Sequence, residues 1–88
     1  MDIVHDTAAH RFHVDVEGHR AVLDYTLRDA VMTITHTGVP EAIGGRGIAG
    51  ELVRTALETA RREGWKVVPR CPYAAAYLRR HPEYRDLS

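Results

Sequence analysis

The segment from Val39 to Gly50 reads VPEAIGGRGIAG, where a β-type run ends, a glycine-rich turn follows and the chain's longest helical pattern begins. A helix start leaves about four backbone N–H groups without partners and carries a partial positive charge. Glycines at such a turn let those groups approach a phosphate with no side chain in the way. No Asp, Ser, Thr or Asn lies between Val39 and Gly50 to cap them from within. The pattern points to an anion cradle made by the backbone of Gly45, Arg46, Gly47, Ile48, Ala49 and Gly50. The plain alternative is a tight strand-to-helix connection without a ligand. Cys71 is the second residue of chemical interest. As the only cysteine it forms no internal disulfide, and it sits just ahead of a helix opened by Pro72. The dipole of that helix favours a thiolate, which can act as a nucleophile or a base. A small buried packing residue is the competing reading. His36, near the end of a strand, is a candidate general base, against the commoner role of a half-exposed strand residue. The remaining histidines are scattered over different elements and show no metal-ligand spacing.

Gly45-x-Gly47-x-x-Gly50 formally matches the dinucleotide fingerprint, but its context argues against that use. A dinucleotide fold needs an acidic residue at the end of the next strand to hold a ribose, and here that strand ends in Pro69-Arg70. A Walker A loop is excluded too, because no Gly-Lys-Ser/Thr follows. Both nucleotide folds also require a parallel sheet before the turn.

The elements around the turn read differently. Arg11–Val16 alternates, with Phe12, Val14 and Val16 on one face. Ala21–Arg28 alternates again, and Ala30–Thr37 is rich in β-branched residues. Short turns between these runs make an antiparallel meander the economical topology. A helix over Arg46–Glu63 follows, with Ile48, Leu52, Val53, Ala56, Leu57 and Ala60 on one stripe and Gly64 as its stop. Trp65–Pro69 then returns as a strand parallel to Ala30–Thr37 through a right-handed crossover. Pro72 opens a second, shorter helix to about Arg80, and His81–Leu87 is an extended tail. The fold class is α/β, one unit over residues 1–88. Charged residues make up 27% and the formal net charge is zero, so electrostatics gives no case for a nucleic acid or an anionic membrane as partner. No run of apolar residues is long enough to span a membrane and no basic-then-apolar leader is present, so a cytoplasmic location is expected. A monomer or a weak homodimer paired through a sheet edge is expected for so small a sheet.

Val39-Pro40 followed by Gly45-Arg46-Gly47-Ile48-Ala49 and a helix carrying Leu52-Val53 resembles motif A of the GNAT superfamily of N-acetyltransferases. The likeness extends to Val68-Pro69-Arg70-Cys71-Pro72-Tyr73, then Tyr77, then His81-Pro82-Glu83-Tyr84-Arg85-Asp86-Leu87, which is similar to the ending of small stand-alone GNAT-like acetyltransferases. The resemblance implies a minimal GNAT-like fold, an antiparallel meander plus one parallel strand with one long and one short helix. It implies acetyl-CoA as cofactor, with its pyrophosphate on the amides of Gly45 to Gly50 and the Arg46 side chain as an added charge. The pantetheine arm would lie between strands near Ile34–Val39 and Val67–Cys71, so that Val39 lines it. Cys71 would stand beside the thioester, and Tyr77 would protonate the leaving thiolate or else pack in the core. Two departures are visible: Gly44 stands where the family's motif usually has Gln or Arg, and the elements that shape the acceptor pocket in longer members are absent. The implied reaction is transfer of an acetyl group to an amine-bearing small molecule or protein. The alternative is a non-catalytic module that binds CoA or acyl-CoA.

Overall fold

A computed structural model describes all residues from Met1 to Ser88. Five strands form one sheet in sequence order: β1 (Val4–Asp6), β2 (Arg11–Val16), β3 (His19–Arg28), β4 (Val31–Gly38) and β5 (Lys66–Pro69). The first four pair antiparallel and β5 lies parallel to β4. Helix α1 (Ile48–Glu63) is the crossover between β4 and β5, and α2 (Pro72–Arg80) follows β5. The antiparallel meander with one added parallel strand is the expected architecture.

Local chemistry accounts for most boundaries. The β2–β3 hairpin closes on Glu17 and Gly18, both at positive φ (50° and 79°), which matches the twist of the flanking strands. The β3–β4 hairpin repeats this with Asp29 and Ala30 at 52° and 61°. Gly64 ends α1 in the left-handed region at φ 77°, its amide returning to the carbonyls of Ala60 and Arg61. Every member of the apolar stripe read from the sequence, Ile48 to Ala60, is buried. It packs on Phe12, Val14, Ala21, Leu23, Tyr25, Met32, Ile34 and Val67 from the sheet, within one cluster of 19 buried residues. No helix is long and apolar enough to cross a membrane.

Three features depart from the sequence reading. Strand β1 was not anticipated, because three residues carry no readable alternation; pairing with β2 makes it. Helix α1 starts at Ile48 rather than Arg46, since Gly47 sits at φ 77°, outside helical space. The tail is not extended: Pro82–Leu87 forms a 3-10 segment. It buries Tyr84 and Leu87, and contacts to α1 and β5 hold it. Tyr84 Oη donates to Glu58 at 2.6 Å, Arg61 bonds the Glu83 carbonyl and Asp86, and Lys66 Nζ donates to the Asp86 carbonyl. Burial, followed by Glu58, pushes the Tyr84 hydroxyl up to about 12.

His5 makes stability pH-dependent at the other end of the sheet. Its ring stacks on Phe12 at 4.0 Å and its Nε2 lies 2.6 Å from Tyr25 Oη. Burial, then the nearby Arg62, lowers its pKa. A histidine depressed in the folded state contributes fully above its unfolded value, about 6.5, and loses that contribution as pH falls below it. The thermal midpoint of the wild type is therefore expected to hold near neutrality and drop by a few degrees toward pH 5. A His5→Leu variant followed by circular dichroism should show a shallower drop; equal slopes would dismiss His5 as the cause.

Candidate functional site

The glycine turn is pre-shaped by its own backbone. A 3-10 turn at Glu41–Ile43 buries Ile43 as an anchor, and Gly44 follows in extended conformation. Gly45 and Gly47 then adopt φ 75° and 77°, values that side-chain-bearing residues rarely hold. The first helical bond at this end runs from the Glu51 amide to the Gly47 carbonyl, and no side chain caps the helix. As a result, the N–H groups of Gly45, Arg46, Gly47, Ile48, Ala49 and Gly50 have no acceptor within the chain. These are the six amides the sequence singled out. Val39, Ile43, Gly44, Gly45, Gly47, Ile48, Ala49 and Tyr73 enclose a cavity of about 220 Å³ beside them. Such a row of free donors at a helix start is chemically suited to a pyrophosphate.

Arg46 behaves differently from its backbone. Its guanidinium forms a two-pronged pair with Glu17 of the β2–β3 hairpin, at 2.5 and 3.2 Å, and does not line the cavity. The resemblance gave this side chain to phosphate; the structure gives it to Glu17. Gly50 is also off the lining. A Cβ there would lie 3.3 Å from Tyr73 Oη and 3.8 Å from the Tyr77 ring, so its smallness lets α2 approach α1.

Strands β4 and β5 part after four paired positions. Their pairing ends at Ile34 with Pro69, and the amides of both Arg70 and Cys71 converge on the Ile34 carbonyl at 3.0 Å. Beyond that point β4 runs on to Gly38 against β3 alone. Asp24 pairs with His36 and Tyr25 with Ile34, so Thr35 is an extra, unpaired residue. This bulge reverses which face each later residue takes. Thr37 stands opposite buried Leu23 and faces the helices, whereas His36 stands opposite Asp24 on the far side. Period-two alternation from Met32 and Ile34 puts His36 inward; the bulge puts Thr37 there instead. His36 is exposed and separated from the other candidates by the sheet.

Cys71 sits at the mouth of this split, 6% exposed, as the residue preceding α2. Its sulfur lies 3.5 Å from Thr37 Oγ1. Burial pushes the thiol pKa up, but Thr37 and the amides of Ala74 and Tyr73 outweigh it, and the net shift is downward. Those two amides aim at the sulfur without a full capping hydrogen bond, so the Thr37 contact is the firmer one. Tyr77 is half-buried, its ring stacked on His81 at 4.0 Å, and burial raises its hydroxyl pKa. It does not line the cavity; Tyr73, one turn earlier and 41% exposed, does. The sequence reading passed over Tyr73 as a site residue. Its signal was its place two residues after Cys71, in the first turn of a helix that had to start beside the cleft.

Residues 11–87 match the family described as GCN5-related N-acetyl-transferase. A chicken protein named NATD1 is 34% identical over 85 residues, covering 93% of this chain and 77% of its own. The human NATD1 is 35% identical over 83 residues, covering 91% and 74%. The solution structure of a GCN5-like putative N-acetyltransferase from Staphylococcus aureus superposes with a TM-score of 0.76 at 28% identity, over 98% of this chain and 85% of that one. The fold, the free amides of the glycine turn and these likenesses agree, and the chain belongs to the GCN5-related N-acetyltransferase family.

Proposed function

We propose that this protein uses acetyl-CoA to acetylate an amine carried by a small molecule or a protein. The observation that carries the proposal is the row of six unpartnered amides, Gly45 to Gly50, beside a cavity lined by Gly45, Gly47, Ile48, Ala49 and Tyr73. The amides would hold the pyrophosphate, and the β4 edge beyond Ile34, up to Val39, offers unpaired backbone to the pantetheine arm. The bound thioester supplies the activated acetyl group. Backbone and side chains at the split then have three tasks. They hold the reacting carbon near an incoming neutral amine, exclude water, and deliver a proton to the departing sulfur. Tyr73 Oη is the phenol on the cavity wall and is assigned that proton. Cys71, held by Thr37 with a lowered pKa, orients the reacting end and can take a proton from the amine. His36, on the far sheet face, is given no part in this transfer.

Calorimetric titration with acetyl-CoA and with free CoA tests the cofactor directly, with thiol release over a panel of polyamines, lysine peptides and peptide N-termini as the second arm. Binding in the micromolar range with release on at least one amine is the expected result. Binding without release on any amine would favour the CoA-binding module. No binding would overturn the cofactor assignment.

A further inference from the structure

The larger cavity of the molecule, about 390 Å³, lies away from the glycine turn. It is a groove between the end of β5, the outer side of α2 and the C-terminal 3-10 segment, walled by Pro69, Ala75, Leu78 and Pro82. Arg79 from α2 and Arg85 from the 3-10 segment also line it. Six of the other arginines are paired, Arg11 with Asp24, Arg20 with Asp15, Arg46 with Glu17, Arg54 with Glu51, Arg61 with Asp86 and Arg62 with Glu63, and the unpaired Arg28, Arg70 and Arg80 line no cavity. Arg79 and Arg85 form no ion pair, and their side chains make no hydrogen bond to the chain. The nearest acidic residues in sequence are engaged elsewhere, Glu83 with His81 at 3.3 Å and Asp86 with Arg61 at 2.7 Å. Two free guanidiniums thus border an apolar groove whose size falls within the range of small-molecule sites.

We propose that this groove binds a small apolar carboxylate, its head held by Arg79 and Arg85 and its stem laid along Pro69, Leu78 and Pro82. A guanidinium meets a carboxylate through two parallel N–H···O bonds, which a neutral amide cannot reproduce. The apolar walls favour a hydrocarbon stem over a bare oxyanion. The site is independent of acetyl transfer and of the glycine turn.

The test is a nitrogen-15 amide titration of the whole chain with octanoate, with octanamide as its neutral counterpart and inorganic phosphate as a bare anion. Saturable shifts confined to residues around Ala75, Leu78, Arg79 and Arg85 are expected for octanoate. Octanamide and phosphate should each bind at least about tenfold more weakly. An Arg79→Gln/Arg85→Gln variant, altered only at exposed side chains, should bind octanoate and octanamide alike. Equal binding of octanoate and octanamide to the wild type, equal binding of phosphate, shifts scattered over the surface, or an unchanged preference in the variant would each overturn the proposal.

Discussion

A carboxylate introduced at Ala49, by Ala49→Glu, is expected to weaken acetyl-CoA binding roughly a hundredfold while leaving the fold as stable as before or slightly more so. Ala49 lines the cavity in the first turn of α1, and its amide is one of the six free donors. Its backbone is helical, so a larger side chain meets no positive-φ strain there. Gly45 and Gly47 would not allow so clean a test, because any side chain at φ 75° or 77° is strained. An acidic residue in a first helical turn interacts favourably with the dipole, by about 0.3–1 kcal/mol. Against a bound pyrophosphate the same charge is repulsive. At an effective dielectric of about 20 and a separation near 5 Å, each pair of unit charges costs about 3 kcal/mol before solvent screening. Screening at this open turn reduces it, and a hundredfold loss, about 2.7 kcal/mol, is the expected remainder. Calorimetry gives the affinity and thermal unfolding gives the stability of the same sample. Unchanged affinity with an intact fold would move the pyrophosphate away from this turn.

The sequence shows this turn plainly because its signal is local. A cap-free glycine run beside a strand end dictates where unpaired amides must be, and the structure has the same six. The α1 stripe is legible for a similar reason, since a helical period holds over four turns. What escaped was set by contacts between distant segments. The Thr35 bulge exists only in the register between β3 and β4, and it decides that Thr37 rather than His36 meets Cys71. Glu17 reaches Arg46 across 29 residues of chain, so the fate of that guanidinium depends on hairpin placement that no motif records. The tail winds into a 3-10 segment because Arg61 and Lys66 bind its carbonyls, again from other elements. The choice between two tyrosines one turn apart is of the same kind. Both lie toward α1, and only packing shows that Tyr73 reaches the cavity while Tyr77 stacks on His81.

That choice carries the other large effect. Tyr73→Phe is expected to lower the rate of acetyl transfer by about a hundredfold with little change in acetyl-CoA affinity, the low end of what a positioned proton donor contributes. Tyr77→Phe should cost less than about threefold, because its hydroxyl makes no hydrogen bond in the structure and the Phe ring keeps the stack on His81. Both substitutions remove one oxygen and no ring, so neither opens a cavity. Tyr73 is also partly exposed, so the fold does not depend on its hydroxyl. The split between turnover and binding is the informative readout. A residue that only shapes the cavity would change both, whereas a proton donor to the leaving sulfur acts in the transition state alone. An activated acetyl donor with a leaving group of lower pKa needs less protonation, so the Tyr73→Phe deficit should shrink with such a donor if the role is acid catalysis. A deficit that stays constant across donors would make Tyr73 a positioning residue. A loss in Tyr77→Phe with Tyr73→Phe intact would return the proton to Tyr77, and would require α2 to turn toward the cleft on binding.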